Sequence, residues 1–595
     1  MKAQDTKIQQ LIRTDHQFVI PVYQRPYVWE EKHWDSLWTD ISMAAEEAER
    51  VAAAPHSEKS PKTHFVGAIV IEPMANRPSR VNRSLVVDGQ QRLTTLQILM
   101  SSAGFQAKKR GYPKLQRNLH ALVFNQDYWE HPEDRPMLVP SLADREAFFS
   151  ATSEFPLRSD ATRGPLGARN FFDEAIAEWL DEASDPELRL EGLSSAIRNR
   201  LAIVEVLLDE KDDPQVIFEN LNYEGQRLSP SDLVKNSLFR QIQREGGNAD
   251  ELHQKYWVQF DRAEWQQERT LGRFKRSKLD TLVSNWLVIE KKATVSTAGF
   301  FSEFREWLED SKESASGVVR SIHDLSQVQF TLENSPIDTP TGRLIDRLAH
   351  MQISVIWPFI LKLQTLPSLQ PHGRDSIMDM LDSYFFRRMI CRLSTKDYNQ
   401  LTAELLRVVS QDGVDPVVAV RDYLLRQSAS SRAWPTDSQV AQRLENYPIY
   451  NTMSRLNIRI LLVGIENALR QKRSEALFDR SIELSIEHLL PQEWEQNYPL
   501  TDSSIEGKQR REFMVNRLGN LTLLTQGLNS MVGNAPWYKK RVGIQKNAVM
   551  LITSASVLQP PPDVEDPNWL DSWTDEKIQV RNDYFAKLIL ENWRR

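Results

Sequence analysis

Cysteine is almost absent from this chain of 595 residues, which has only Cys391. A single cysteine excludes a disulfide framework and every zinc or iron–sulfur site that needs several thiolates. It also suits a reducing cytosol, and we expect a cytoplasmic protein. The N-terminus lacks the apolar run of a signal peptide, and no stretch approaches the ~18 apolar residues of a membrane span. We therefore expect no contact with a membrane.

Two motifs that identify large hydrolase classes are also missing. The absence of GxxxxGK[ST] disfavours a P-loop nucleotide hydrolase, and the absence of HExxH disfavours a zincin protease. Charge of one sign does not dominate, because 74 basic and 81 acidic side chains leave a net charge of −7. Any contact with a nucleic acid must therefore come from a local basic patch.

The chain has ample core material, with 41 % apolar residues, 16 Trp and 23 Phe. Val- and Ile-rich runs at 65–72, 84–87 and 201–208 predict strands in an N-terminal region that also contains helical patterns. Apolar residues at three- and four-residue spacing predict a helical middle region. We therefore expect a helix-rich α+β multidomain protein. The expected domains are 1–245, 246–430 and 431–595.

One group of polar residues near the C-terminal end suits phosphodiester hydrolysis. Glu487 and His488 end a strand pattern, Asn520 lies within GNLTLL, and Asn529 follows nine residues later. Histidine can activate water at neutral pH, while a carboxylate and an amide oxygen suit Mg²⁺ or Mn²⁺. A further polar residue is needed to hold the imidazole in the correct tautomer. The alternative is a capped strand–loop–helix with a buried histidine.

The segment 508–546 around these residues is strongly basic in an otherwise acidic chain. It carries eight lysine or arginine residues and one glutamate. Phosphate backbones need such a patch for affinity, and we expect Lys539, Lys540 and Arg541 to contact DNA phosphates. The alternative is a set of solvated surface lysines.

A second group of motifs lies in the N-terminal region. It comprises IPVYQRPYVW at 20–29, DGQQR at 88–92 and FENLN at 218–222. The order strand, polar turn, helix predicts that DGQQR forms a strand-to-helix corner, and such corners present backbone N–H groups to anions. The DGQQR motif is therefore a candidate anion site.

The residue types at this corner suit a phosphate ligand. Asp88 can bind a metal or act on water, and Gly89 permits a tight turn. Glutamines offer donors and acceptors, while arginines offer planar forks for phosphate. The candidate residues are Arg25, Asp88, Gly89, Gln90, Gln91 and Arg92. Tyr23, Tyr27 and Trp29 can stack on a base, and the alternative is a well-packed corner with satisfied polar groups.

These motifs resemble those of the GmrSD family of type IV restriction enzymes, to which BrxU- and SspE-type phage-defence proteins are related. Residues 8–240 resemble the GmrS-type domain, a ParB-like α/β fold with a DGQQR motif. Residues 430–550 resemble the GmrD-type HNH, or ββα-metal, nuclease domain. Family members more often carry Asp before the histidine, where this chain has Glu487.

The resemblance implies a role for each residue. His488 would be the general base, with Asn520 orienting it, and Glu487 and Asn529 would bind a divalent metal. The corner residues Asp88 to Arg92, with Arg25, would bind ATP or GTP.

The resemblance also implies a function. By this resemblance, the protein would be a prokaryotic, nucleotide-regulated, metal-dependent endonuclease that cleaves modified double-stranded phage DNA, for example DNA with glucosylated hydroxymethylcytosine. Some relatives dimerise, so a homodimer is one expected state. The alternative is an NTP-hydrolysing, DNA-binding switch whose HNH domain is inactive or nicks one strand, as in an SspE-like modification sensor. An RNA nuclease with the same site is a third reading.

Overall fold

The computed structural model describes residues 2–12, 15–53, 63–74, 80–125, 131–154, 160–209, 229–271, 274–478, 484–500, 502–547 and 550–595. It is a helix-rich α+β structure, as expected. The chain divides into two compact units, Met1–Gln259 with Glu313–Val319, and Phe260–Lys312 with Arg320–Arg595. The predicted boundary near residue 430 falls inside the second unit. Among the described helices, none combines the length and the apolar character needed to cross a membrane.

The first unit is built on a six-stranded mixed sheet with the order β1-β6-β3-β4-β2-β5. Its strands are β1 (Lys2–Lys7), β2 (His16–Val19), β3 (His64–Pro73), β4 (Asn82–Asp88), β5 (Leu138–Val139) and β6 (Leu201–Leu207). The strand predictions at 65–72, 84–87 and 201–208 are confirmed as β3, β4 and β6. The sequence pattern gave no sign of β1, because this polar strand pairs only with β6 and buries only Thr6.

Helices cover the sheet of the first unit. They are α1 (Ile8–Leu11), α2 (Glu31–Ala53), α3 (Gln90–Lys109), α4 (Pro113–His120), α5 (Arg145–Thr152), α6 (Gly164–Asp181), α7 (Pro186–Asn199), α8 (Pro230–Arg244) and α9 (Ala249–Leu252). Helix α3 is the central one and packs against α4, α5 and α6. Fourteen of its residues are buried, which includes polar Gln90, Gln91 and Gln97. The core of this unit therefore surrounds the start of α3.

The second unit is mainly helical, which confirms the prediction for the middle region. Its early helices, with α13 beginning in the range of the first unit, are α10 (Ala263–Gln266), α11 (Lys278–Lys291), α12 (Phe300–Ser311), α13 (Ala315–Glu333), α14 (Pro340–His350), α15 (Trp357–Thr365), α16 (Pro371–Ile390), α17 (Tyr398–Val409) and α18 (Pro416–Arg426). A short antiparallel pair, β7 (Glu268–Leu271) and β8 (Phe274–Ser277), precedes α11.

The last part of this unit combines a hairpin with helices. The helices are α19 (Asp437–Asn446), α20 (Ile449–Thr452), α21 (Arg455–Lys472), α22 (Ile505–Val515), α23 (Gln526–Val532), α24 (Trp537–Asn547), α25 (Leu551–Ser554) and α26 (Asp575–Asn592). Strands β9 (Leu484–His488) and β10 (Leu521–Thr525) pair antiparallel. A 3₁₀ turn at Leu518–Asn520 leads into β10 and packs against α26. The predicted strand around His488 is confirmed as β9.

Candidate functional site

The C-terminal candidate residues lie on a strand–strand–helix segment. In the β9–β10 register, His488 is opposite Leu521 and Glu487 is opposite Thr522. Helix α23 follows β10 directly and packs against both strands. This arrangement brings the helix that carries Asn529 to the hairpin that carries Glu487 and His488.

His488 lies at the end of β9 with 7 % of its surface exposed. Burial, together with the positive charges of Lys540 and Arg455, lowers the pKa of His488 to about 3, and Asn516 beside the ring opposes the shift. Tyr450 packs edge-on against the imidazole, with ring centroids 4.2 Å apart. The buried Nε2 atom has no hydrogen-bond partner among the described residues. The ring is therefore neutral at pH 7 and keeps one nitrogen for a further partner.

Glu487 forms a buried ion pair with Lys540. The Lys540 ammonium donates to Glu487 Oε1 at 2.5 Å and to the backbone oxygen of His488 at 2.6 Å. Lys540 is fully buried. Burial raises the pKa of Glu487 and lowers the pKa of Lys540, while their mutual attraction opposes both changes. One oxygen of the predicted metal ligand thus already has a cation beside it.

Asn529 on α23 has a buried side-chain oxygen with no hydrogen-bond partner in the described part of the chain. An amide oxygen that lacks a partner fits a divalent cation, and Glu487 would supply the carboxylate. The described residues contain no group of three or more His, Cys, Asp or Glu side chains suited to a metal. A metal here would therefore depend on the amide oxygen and on the single carboxylate.

Asn520 does not orient His488, contrary to the prediction. Its side-chain oxygen accepts from the Leu490 N–H at 2.8 Å and from the Trp573 indole at 3.1 Å. Its amide donates to the Leu490 and Val515 carbonyls, each at 2.8 Å. Three of the four bonds hold the backbone around the hairpin, so Asn520 positions the end of β9. The polar side chain beside the imidazole is Asn516.

The three residues predicted to contact phosphate lie in different environments. Lys539 is exposed on α24. Arg541 is half-buried and donates to the Leu570 carbonyl at 3.0 Å. Lys540 is buried, and the assignment of Lys540 to DNA phosphate is wrong for this structure because its ammonium is bonded to Glu487. Only Lys539 keeps the exposure that a phosphate contact needs.

The sequence analysis missed two features around His488, the internal position of Lys540 and the proximity of Arg455. Lys540 lies three residues after buried Trp537 and four before buried Ile544, so helical spacing already marks its position as buried. Arg455 is an exposed cation whose guanidinium lies 3.3 Å from the Tyr450 ring centroid, and Tyr450 contacts the His488 ring. No local pattern marks Arg455, because α20 and α21 bring it to the hairpin through tertiary packing.

The DGQQR motif of the first unit forms the predicted strand-to-helix corner. Strand β4 ends at Asp88, and α3 begins at Gln90. Gly89 between them has a φ of +89°, and a Cβ atom there would lie 2.6 Å from the Ile69 side chain. Only glycine therefore fits this turn without strain. Strands β2 and β4 are parallel neighbours, so the segment after β2, which contains Arg25, reaches the same edge of the sheet.

The two glutamines of the motif bind backbone atoms of this neighbouring segment. Gln90 donates to the Arg25 carbonyl at 3.0 Å. Gln91 donates to the Pro26 carbonyl at 3.2 Å and accepts from the Val28 N–H at 2.9 Å. Both glutamines are buried. Their amides therefore fix the fold of the corner. These structural hydrogen bonds compete with the ligand contacts predicted for the same side chains.

Asp88, Arg92 and Arg25 come together at this edge. Burial raises the pKa of Asp88, while the Gly89 N–H and the charges of Arg92 and Arg25 oppose the rise. Arg92 also donates to the Ala68 carbonyl at 2.9 Å. The structure thus brings one carboxylate and two guanidinium groups to the start of a twenty-residue helix, where the dipole favours an anion.

The neighbouring aromatic residues are mainly core residues. Tyr23 is buried and stacks on Phe239. Tyr27 is buried, and its hydroxyl bonds to Thr95 and accepts from the Trp34 indole. Trp29 is half-buried. The prediction that Tyr23 and Tyr27 stack on a base is therefore wrong, and FENLN lies outside the described residues.

Comparison with known families gives two matches. Residues 8–239 match the N-terminal domain of the GmrSD restriction endonuclease, and residues 434–588 match the C-terminal domain of GmrSD restriction endonucleases. Together these ranges cover more than half of the chain. No curated protein matches it.

Proposed function

The chain belongs to the GmrSD restriction endonuclease family, and on that premise we propose that it is a metal-dependent, nucleotide-regulated type IV endonuclease that cleaves modified phage DNA. The single observation that carries the nuclease assignment is the arrangement of polar side chains at the end of the β9–β10 hairpin. This hairpin end has a neutral, buried imidazole whose Nε2 has no partner among the described residues, and the helix α23 that packs against its strand carries an amide oxygen in the same condition. The hairpin and α23 form the order expected of an HNH, or ββα-metal, site.

In this proposal, His488 is the general base. A neutral imidazole can accept a proton from water, and its free Nε2 is the atom that would do so. Tyr450 packs on the ring and limits its rotation. Asn520 fixes the backbone that follows the strand. The chain's own part in the reaction is thus to hold one nitrogen toward the attacking water.

Glu487 and Asn529 are the proposed ligands of Mg²⁺ or Mn²⁺. Such a cation, when bound, would neutralise charge on the scissile phosphate and leaving oxygen. Lys540 opposes the rise in the pKa of Glu487 that burial causes, and it holds the carboxylate close to the end of β9. Exposed Arg455 and Lys539 are the proposed phosphate contacts nearest the site.

The experiment compares cleavage by the wild type, His488→Ala and His372→Ala. Substrates are unmodified plasmid and phage DNA with glucosylated hydroxymethylcytosine, each with Mg²⁺ or Mn²⁺ and with or without ATP or GTP. His372 is an exposed histidine on α16, so its variant is the matched control. We expect His488→Ala to cut at least about a hundredfold more slowly, as for loss of a general base. Equal rates for the wild type and His488→Ala would contradict the assignment.

For the first unit, we propose that ATP or GTP binds at the DGQQR corner. Arg25 and Arg92 would bind phosphate, and Asp88 would hold the metal or the attacking water. Asp88→Asn and Arg92→Ala should each lower nucleotide hydrolysis at least about tenfold, and thermal unfolding checks that both variants are folded. Unchanged hydrolysis in both variants would remove this assignment.

The second candidate function is an NTP-hydrolysing DNA-binding switch with an inactive or nicking nuclease domain. One observation favours it: the Lys540 ammonium is 2.5 Å from the carboxylate that would bind the metal. Metal-dependent cutting separates the two functions. Nucleotide hydrolysis without cleavage of any DNA, modified or not, would favour the switch.

A further inference from the structure

The first unit contains a cavity that the proposed function does not use. Its volume is about 830 Å³, which lies within the ~300–1,000 Å³ typical of ligand pockets. It lies beside β2 and the edge strand β5, with walls from α4 and α5. The described residues that line it include none of the DGQQR corner residues and none outside the first unit. It is therefore separate from the DGQQR corner.

Helix α5 presents one face to this cavity. Arg145, Phe149 and Thr152 line it, and their spacing of four and three residues puts them on the same side of the helix. Phe148 and Ala151, on the other side, are buried in the core. Phe149 is 36 % exposed, although it is a large apolar residue. Together with Phe124, which also lines the cavity, it offers apolar ring surface to a flat ligand.

Gln17 on β2 lines the same cavity and is fully buried. Its amide donates to the Glu133 carbonyl at 2.9 Å and to the Pro136 carbonyl at 2.8 Å. Because both partners are acceptors, the orientation of the amide is fixed. The remaining oxygen, Oε1, is buried and accepts no hydrogen bond from a described residue. A buried acceptor of this kind calls for an N–H donor on a ligand.

The cavity also has cationic groups. The Nε atom of Arg145 is buried and has no hydrogen-bond partner among the described residues. Arg135 lies over the Phe124 ring at 5.0 Å. Three carboxylates line the cavity: Glu133 is paired with Arg80, Glu154 is paired with Lys108 at 3.0 Å, and Asp250 is exposed to solvent. The Arg145 guanidinium thus remains for an anionic group such as phosphate.

We propose that this cavity binds one nucleotide unit whose base carries an exocyclic amino group. Phe149 and Phe124 would contact the base plane, Gln17 Oε1 would accept from the amino group, and Arg145 would bind the phosphate. Adenine, cytosine and guanine have such a donor, and thymine does not. The nucleotide can come from solution or from DNA as an extruded base, because both present the same groups. This inference concerns binding alone and does not depend on cleavage.

The test measures binding to the full-length protein. Calorimetry is run with dCMP, dAMP and dTMP, and fluorescence anisotropy with labelled single strands of poly-dC, poly-dA and poly-dT. The variants are Arg145→Ala and Phe149→Ala. Their matched controls in the same unit are Arg163→Ala, with a side chain 83 % exposed, and Phe65→Ala, 58 % exposed. Thermal unfolding checks that each variant is folded.

We expect the amino-bearing bases to bind at least about tenfold more tightly than thymine, and both cavity variants to lose at least about tenfold in affinity while the controls do not. Binding of free nucleotides identifies a soluble ligand, and binding of the strands alone identifies an extruded base. Equal binding of thymine, or binding insensitive to both cavity variants, overturns the proposal. Should an alanine variant unfold, Arg145→Gln and Phe149→Leu take its place.

Discussion

At the scale of single residues, Gln91 shows how a motif residue can have a structural role. From the sequence, its amide is a candidate ligand group. In the structure, the same amide accepts from the N–H of Val28 and donates to the carbonyl of Pro26. Motif spacing could predict that a polar group lies at this corner. It could not predict the partner, because the partner comes from a segment more than sixty residues away.

Gln91→Ala should therefore lower the stability of the protein. The change leaves the Val28 N–H and the Pro26 carbonyl without partners, and each such loss costs about 1–3 kcal/mol. We expect a decrease of about 2–3 kcal/mol in the free energy of unfolding, measured with urea. Gln9→Ala, at an exposed position, is the control. A Gln91→Ala variant as stable as the control would contradict the structural role.

His488 gives a prediction for acid sensitivity. Above pH 6.5 the imidazole is neutral in the folded and the unfolded chain. Below it, the unfolded chain takes up a proton that the folded chain does not accept until about pH 3, so stability falls between these values. At pH 5.5 the loss is about 1.4 kcal/mol. Urea unfolding of the wild type and His488→Ala at pH 7.5 and 5.5 should show a smaller decrease in the variant, and equal decreases would count against the burial of a neutral ring.

At the scale of elements, the hairpin depends on the helix behind it. Arg581 of α26 is fully buried and donates to the carbonyls of Gly519, Leu521 and Ile552. Burial lowers the pKa of Arg581 to about 9. The apolar pattern before His488 was enough to predict β9. The contact between α26 and the turn at Leu518–Asn520 was not predictable, because it depends on close approach of two backbones.

Gly519→Ala tests this close approach. A Cβ atom at Gly519 would lie 2.1 Å from the Ile578 carbonyl oxygen and 2.8 Å from the Asn582 nitrogen, so the turn and α26 must separate. We expect a loss of about 2–3 kcal/mol in the free energy of unfolding, as for overpacking of a core. Gly527→Ala on α23 is the control, since nothing lies within 4 Å of its added Cβ. Similar stability of the two variants would refute the close contact.

At the scale of the whole molecule, the acidic net charge contrasts with the basic surface that DNA binding requires. The chain has a net charge of −7, and a DNA enzyme needs a basic surface. The basic segment 508–546 was recognisable from composition, but exposure decides which members can reach DNA. Lys540 is internal and Lys539 is exposed. Composition could therefore locate the patch and could not choose among its residues.

Lys539→Ala should reduce the salt dependence of DNA binding. Removing one phosphate contact lowers the slope of log K against log salt by ~0.9. The slope is measured by fluorescence anisotropy with a labelled duplex, at salt concentrations from about 50 to about 200 mM. Lys396→Ala, at an exposed position outside the basic segment, should leave it unchanged. A slope in Lys539→Ala equal to that of the wild type would remove Lys539 from the interface.

The way Gln90 and Gln91 bind the QRP segment has a consequence for sequence divergence. In the described part of the chain, the hydrogen bonds of their side-chain amides go to main-chain atoms of Arg25, Pro26 and Val28. Every amino acid has a carbonyl, and every one except proline has an N–H, so the side chains of the segment can change without loss of this anchoring. Substitutions in this segment can therefore change the surface it presents, while its backbone stays anchored to the start of α3.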